Sequence, residues 1–154
     1  MDKIFTIDFK SLPLDLAIET KTGDTIDQKR IIAVFEDPFC GYCKKYRKML
    51  EKIDNLTIYT FLLPIISDKS SDLSKQIWCS ENPAIAWTDL MLKNKEPLKT
   101  KKDCFFPKEE LLSLGRKLGI NATPTSYLVT GRRIAGAVSK ENLESELSQI
   151  SKSN

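Results

Sequence analysis

Arg30-Ile31-Ile32-Ala33-Val34-Phe35-Glu36-Asp37-Pro38-Phe39-Cys40-Gly41-Tyr42-Cys43-Lys44-Lys45 changes its periodicity halfway along. The first six residues are apolar and β-branched, which predicts a buried strand. From residue 43 to 53 the apolar residues Tyr46, Met49, Leu50 and Ile53 recur at helical spacing. Cys40 therefore falls at a helix N-terminus, where unpaired backbone N–H groups and the positive end of the macrodipole favour an anion. A thiolate is such an anion, so the position suits a reactive cysteine. A CxxC spelling alone says little; its placement after a strand and at a helix start says more.

The bulk numbers bound the rest. With 154 residues, 41% hydrophobic and 29% charged, the chain reads as one globular domain over 1–154. A net charge of +3, from interspersed charges, is too slight to argue for nucleic acid or an anionic membrane. The clusters Lys44-Lys45…Arg47-Lys48 and Lys99…Lys101-Lys102 read as solvated faces. No apolar run is long enough to span a bilayer, and Met1-Asp2-Lys3-Ile4 opens no signal-peptide core. The chain has no histidine, which excludes imidazole metal sites and Cys–His or Ser–His catalysis.

Along the chain, Ile4, Phe5, Ile7 and Phe9 alternate like an edge strand, and Ser11 with Pro13 predicts a short helix to about Glu19. Leu56 to Leu63 is a second strong strand, stopped by Pro64. Two helices are predicted over 67–80 and 82–93, then a basic loop over 94–106. A helix over 108–118 ends at Gly119. Thr125–Val129 and 132–137 form a hairpin around Thr130-Gly131, and Ser139 caps a last helix carrying Leu143, Leu147 and Ile150. The expected class is α/β, a central mixed sheet flanked by helices, with a helical insertion over about 67–106.

Four cysteines allow three pairings. The spacing of Cys40 and Cys43 suits a redox dithiol on a helix turn. Cys79 follows an apolar helical segment and Cys104 lies in an aperiodic one, a placement that suits a structural bridge. Such a bridge favours an oxidising compartment. Two other readings stand beside this one: a zinc site, which would normally need a second CxxC knuckle, and an inert Cys40–Cys43 bridge.

Asn121-Ala122-Thr123-Pro124-Thr125 lies just ahead of the hairpin. Together with the strand–CxxC–helix unit it resembles the thioredoxin superfamily, in which a cis-proline loop faces the CxxC. Phe35 to Lys45, Ile77-Trp78-Cys79-Ser80 with Cys104, and Gly119 to Thr125 resemble, in order, the DsbC/DsbG-type protein disulfide isomerases over roughly residues 30–150. The resemblance implies a thioredoxin-like fold and thiol–disulfide oxidoreductase activity of the isomerase or reductase kind. Cys40 would attack and Cys43 resolve, with Gly41, Tyr42, Thr123 and Pro124 supporting the site and Thr123 tuning its redox properties. Cys79 and Cys104 would form the structural disulfide, and neither cofactor nor metal is implied.

The partners implied are disulfide-containing or reduced proteins and an electron-donating redox protein, in a periplasmic or otherwise extracytoplasmic setting. The family's N-terminal dimerisation domain and linker helix have no clear counterpart in the residues ahead of the buried strand, so the expectation is a monomer. Thioredoxins carry a buried aspartate six residues before the first cysteine. Val34 stands there in this chain, and Glu36 or water is expected to take the role. The competing functions are a DsbA-like dithiol oxidase and a non-enzymatic peptide-binding or chaperone module.

Overall fold

A computed structural model describes residues 6–23, 30–98 and 104–152. In chain order the elements are β1 (Ile18–Thr22), β2 (Ile31–Glu36), α1 (Gly41–Leu50), β3 (Leu56–Leu62), α2 (Ser70–Trp78), α3 (Pro83–Lys93), α4 (Lys108–Lys117), β4 (Thr125–Leu128), β5 (Arg133–Ala135) and α5 (Lys140–Lys152). Among the described residues the strands form one sheet in the order β1-β3-β2-β4-β5. β2 and β3 run parallel, with Phe35 opposite Phe61 and α1 in the crossover between them. β1, β4 and β5 are antiparallel to the strands they join. This is the mixed α/β, thioredoxin-like architecture that the motifs imply.

β2 is central because both of its faces are covered, which is why it reads as an unbroken apolar run. Ile32 and Val34 pack with Tyr46 and Leu50 of α1 and with Leu143 and Leu147 of α5. Ala33 and Phe35 pack on the opposite face with Ile77, Trp87 and Leu111 from α2, α3 and α4. Phe35 stacks on Phe61 at 4.7 Å between ring centroids and meets Tyr127 edge-on at 6.2 Å, geometries that add to the area each ring buries. The strand's C-terminal end therefore delivers Glu36, Asp37 and the CxxC turn to a fixed place above the core.

The N-terminal expectations need correction. Ile4 and Phe5 lie outside the described residues. Ile7 is in no strand, Phe9–Ser11 form a 3₁₀ turn, and Thr6 makes only an isolated bridge to Arg132. The helix expected from Ser11 to Glu19 is also absent. A 3₁₀ turn over Leu14–Leu16 is followed by β1, in which Ile18, Thr20 and Thr22 are buried and Glu19 and Lys21 are exposed. Ser11 does not cap a helix forwards; its hydroxyl donates back to the Asp8 carbonyl at 2.6 Å. Pairing with β3 along the sheet edge outweighed the local helix-start signal, and the alternation Ile-Glu-Thr-Lys-Thr is the sequence pattern that carried it. The incoming segment is anchored where Ile7 N–H donates to the Gly131 carbonyl at 2.9 Å. At Gly131 φ is +89° and a Cβ would lie 1.7 Å from the Ile7 oxygen, so only glycine fits.

α2 and α3 fall within the segment expected as an insertion. Asn82 caps α3 by accepting from Ile85 N–H at 3.1 Å, with Pro83 at the first helical position. A disulfide joins Cys79, at the end of α2, to Cys104, ahead of α4, and Trp78 lies against Phe106 beside it. The loop it closes is long enough that replacing both cysteines by alanine should cost about 3 kcal/mol of stability. Urea denaturation of the double variant against the parent measures this.

Candidate active site

Cys40 is the residue before α1. Its backbone is extended (φ −86°, ψ 112°), and its sulfur accepts the Cys43 N–H at 3.0 Å. The turn that places it is closed by Cys40 N–H donating to the Asp37 carbonyl at 3.0 Å. On its other side the Cys40 thiol donates to the Thr123 carbonyl at 3.4 Å, across 83 positions of sequence. The Thr123–Pro124 peptide bond is cis and leads directly into β4. Cys40 and Cys43 are both free thiols. Cys40 is 3% exposed, and Cys43, one turn further on, is fully buried.

The remaining sequence-derived residues distribute unevenly around these sulfurs. Thr123 meets Cys40 through its carbonyl, and Pro124 follows it across the cis bond. Gly41 is exposed and a Cβ there would meet nothing within 4 Å, so packing gives no reason for glycine. Tyr42 projects into solvent, with the Lys45 ammonium 5.7 Å from its ring centroid. Cys79 and Cys104 are bonded to each other, which removes the four-thiolate set that a zinc site would need. Among the described residues no group of three or more Cys, Asp or Glu is placed to hold a metal.

The electrostatics under the CxxC centre on Cys43 and Glu36. Burial is the largest reason that the Cys43 thiol is pushed far up. The Glu36 carboxylate and the Cys40 sulfur add to it, while the Asp37 backbone and the Thr123 hydroxyl oppose it. Glu36, the last residue of β2, is itself fully buried, and burial raises its carboxyl to about 7 against the pull of Arg47 and of Thr60. Oε2 accepts from Thr60 Oγ1 at 2.9 Å, whereas Oε1 is buried with no hydrogen-bond partner. Glu36 lies two residues after Val34 on the same strand, so strand alternation turns both toward α1. Val34 is packed into the apolar cluster with Tyr46 and Leu50.

Two further residues shape the site in ways the sequence reading did not find. Arg47, expected on a solvated face, is buried: it donates to Thr20 Oγ1 at 2.9 Å and pairs with Glu51 at 3.2 Å. Its signal was the spacing, since Cys43, Tyr46, Arg47 and Leu50 form the buried stripe of α1. Asp37 is fully buried, and its carboxylate accepts from Phe39 N–H, Ile65 N–H, Ile66 N–H and the Ser70 hydroxyl. Nothing local marked it, because most of its donors come from beyond β3.

Known proteins are similar to this chain in sequence and fold. Residues 25–151 match the thioredoxin-like domain family. The chain is 42% identical over 146 residues to a probable thiol:disulfide interchange protein DsbC of Bordetella parapertussis, covering 95% of this chain and 50% of that protein. It is 30% identical over 115 residues to the thiol:disulfide interchange protein DsbC of Escherichia coli, covering 71% of this chain and 47% of that one. The chain thus spans about half the length of the curated relatives it matches. Among solved structures, a disulfide interchange protein from Neisseria gonorrhoeae superposes with a TM-score of 0.82 at 34% identity, over 90% of this chain and 97% of that one. A dithiol at a helix start, a cis-proline loop against its first sulfur and matches of this extent lead to one conclusion: the chain belongs to the thioredoxin-like domain family, among the disulfide interchange proteins.

Proposed function

We propose that residues 1–154 act as one thioredoxin-like catalytic domain that reduces and isomerises protein disulfides through Cys40 and Cys43. The Cys40 thiolate attacks one sulfur of a substrate disulfide and forms a mixed disulfide, and the displaced substrate sulfur leaves as a thiolate and takes up a proton. Cys43 then gives up its proton and attacks the Cys40 sulfur. The second substrate thiol is released, and two electrons have passed from the dithiol to the substrate. When a substrate thiol attacks the mixed disulfide instead, Cys40 is returned unchanged and the substrate disulfide has been rearranged. The observation that carries this reading is the Cys43 N–H aimed at the Cys40 sulfur at 3.0 Å, an arrangement suited to a negative charge developing there.

Thr123 and Pro124 act as the opposite wall, against which an extended substrate strand lies beside the Cys40 sulfur, and Gly41 and Tyr42 complete the turn. Glu36 accepts the Cys43 proton: it is buried, one of its oxygens is unpartnered, and its carboxyl titrates near neutrality. One chain carries both cysteines and the proline loop, which supports a working monomer. The Cys79–Cys104 bridge supports an extracytoplasmic, periplasm-like setting. There a separate electron-donating protein reduces the dithiol after each reductive turnover.

The test is insulin reduction with dithiothreitol as electron source, together with the Cys40–Cys43 potential measured in glutathione buffers. Accelerated precipitation of the insulin B chain and a potential well below the oxidising extreme of about −120 mV are expected for a reductase or isomerase. A potential at that extreme would assign the domain to substrate oxidation.

A further inference from the structure

Two contacts join the same pair of segments, one at the reactive sulfur and one in the core. At the sulfur, the Cys40 thiol donates to the Thr123 carbonyl at 3.4 Å. In the core, the Tyr46 and Ser126 hydroxyls are hydrogen-bonded at 2.9 Å, across 80 positions of sequence. Tyr46 stands three residues after Cys43 on the buried stripe of α1, and Ser126 two residues after Pro124 on β4. Both side chains are buried. Ser126 lies opposite Val34 in the sheet, and Val34 packs with Tyr46, so the hydroxyl pair spans from helix to strand. Other ties of the proline loop lead elsewhere. Thr125 Oγ1 donates to the Ala122 carbonyl at 2.8 Å, and Gly136 N–H, just past β5, donates to the Pro124 carbonyl at 2.9 Å.

The contact at the sulfur depends on the Cys40 proton, which the reaction removes. A thiolate has no proton to donate, and its charge faces the lone pairs of the carbonyl oxygen. In the mixed disulfide the Cys40 sulfur carries no proton either. The contact in the core persists through every step. Burial pushes the Tyr46 hydroxyl up to about 12, so it keeps its proton at neutral pH. Breaking this bond is also costly, because both hydroxyls would then lie unpartnered away from water.

We propose that Tyr46 and Ser126 are positioning residues whose hydrogen bond holds the Thr123–Pro124 loop in register with Cys40 once the sulfur has lost its proton. This inference rests on the oxidoreductase reading above.

The test is a double-mutant cycle of Tyr46→Phe, Ser126→Ala and the two together, on the full reduced chain in single turnovers. Each protein reacts with a disulfide-bonded peptide, whose backbone lies along the loop, and with hydroxyethyl disulfide, which is too small to need it. Rates are compared in buffer where the far-UV circular dichroism of every variant matches the parent's. Each single variant should attack the peptide about tenfold more slowly, since a slightly displaced loop misaligns the incoming disulfide. Attack on hydroxyethyl disulfide should change less than about twofold.

Urea midpoints separate alignment from folding. A single variant leaves one buried hydroxyl unpartnered and should be less stable than the parent, whereas the double variant leaves none and should regain most of that loss. Its peptide rate should nevertheless stay about tenfold down, because the tie is still missing.

Peptide rates within about twofold of the parent in the single variants overturn the proposal. A peptide rate that recovers along with the urea midpoint in the double variant assigns the hydroxyl pair to stability alone, and overturns it as well. Equal slowing toward both disulfides does the same, since the small one does not use the loop. A parent that attacks neither disulfide overturns the oxidoreductase reading, and the positioning role with it.

Discussion

Cys40→Ser is expected to lower insulin reduction by about a thousandfold or more, to the rate given by dithiothreitol alone. The serine hydroxyl keeps the size of the thiol and accepts the Cys43 N–H, but it is not a nucleophile toward sulfur at neutral pH. The loss is therefore chemical and leaves the fold in place. Cys43→Ser should behave differently. Cys40 and the residue-43 backbone N–H that faces it are retained, so attack proceeds and resolution does not. The mixed disulfide between Cys40 and insulin should then accumulate and be visible by mass spectrometry. Insulin reduction that survives Cys40→Ser would place the chemistry elsewhere in the chain. Trapped substrate on Cys43 in the Cys40 variant would reverse the two roles.

Glu36→Gln is expected to slow resolution of the mixed disulfide by about a hundredfold at pH 8. The reason is the thiol that must be deprotonated. Burial pushes Cys43 far up, so its thiolate becomes accessible only if a neighbour takes the proton. Glu36, raised to about 7, is balanced to do so. In the parent the resolution rate should rise with pH through about 7, as Glu36 becomes free to accept. The amide of the variant does not titrate, so that step should vanish. An unchanged rate and profile in the variant would clear Glu36 and leave water as the acceptor.

The same residue makes a stability prediction with a definite sign. The Glu36 carboxyl titrates at about 7 when folded, against 4.5 ordinarily. Its neutral form is thus the one that the buried site tolerates. The contribution is fully present below about pH 4.5 and is lost as pH rises through about 7, amounting to about 3 kcal/mol in all. Relative to Glu36→Gln, the parent should lose that much stability between about pH 4.5 and pH 8. Urea midpoints of both proteins at the two pH values give the comparison, and because it uses differences between them, any constant cost of the buried amide cancels.

Much of the fold was legible in the sequence because it rests on local pattern. The switch from an unbroken apolar run to helical spacing placed β2, α1 and Cys40 at the helix start. The cap at Ser139, the stop at Pro64, the helix end at Gly119 and the hairpin around Gly131 bounded most other elements. β1 was misread because the proline and Ser11 signalled a helix locally, while pairing with β3 came from residues far along the chain.

The candidate site divides in the same way. The reactive-cysteine pattern and the bridge between Cys79 and Cys104 could be named from residue types and resemblance, whereas Glu36 stood there only beside water as a candidate proton acceptor. The burial that brings Glu36 to about 7 beside Cys43 is a property of the packed interior. So are the depth of Arg47 and the four donors gathered on Asp37. Periodicity reports which face of one element is apolar; it does not report which groups from distant elements share a desolvated space. The sequence by itself determined the dithiol and the element that holds it. Only the tertiary structure decided what surrounds the dithiol, because desolvation and hydrogen-bond satisfaction are sums over contacts between segments that are remote in the chain.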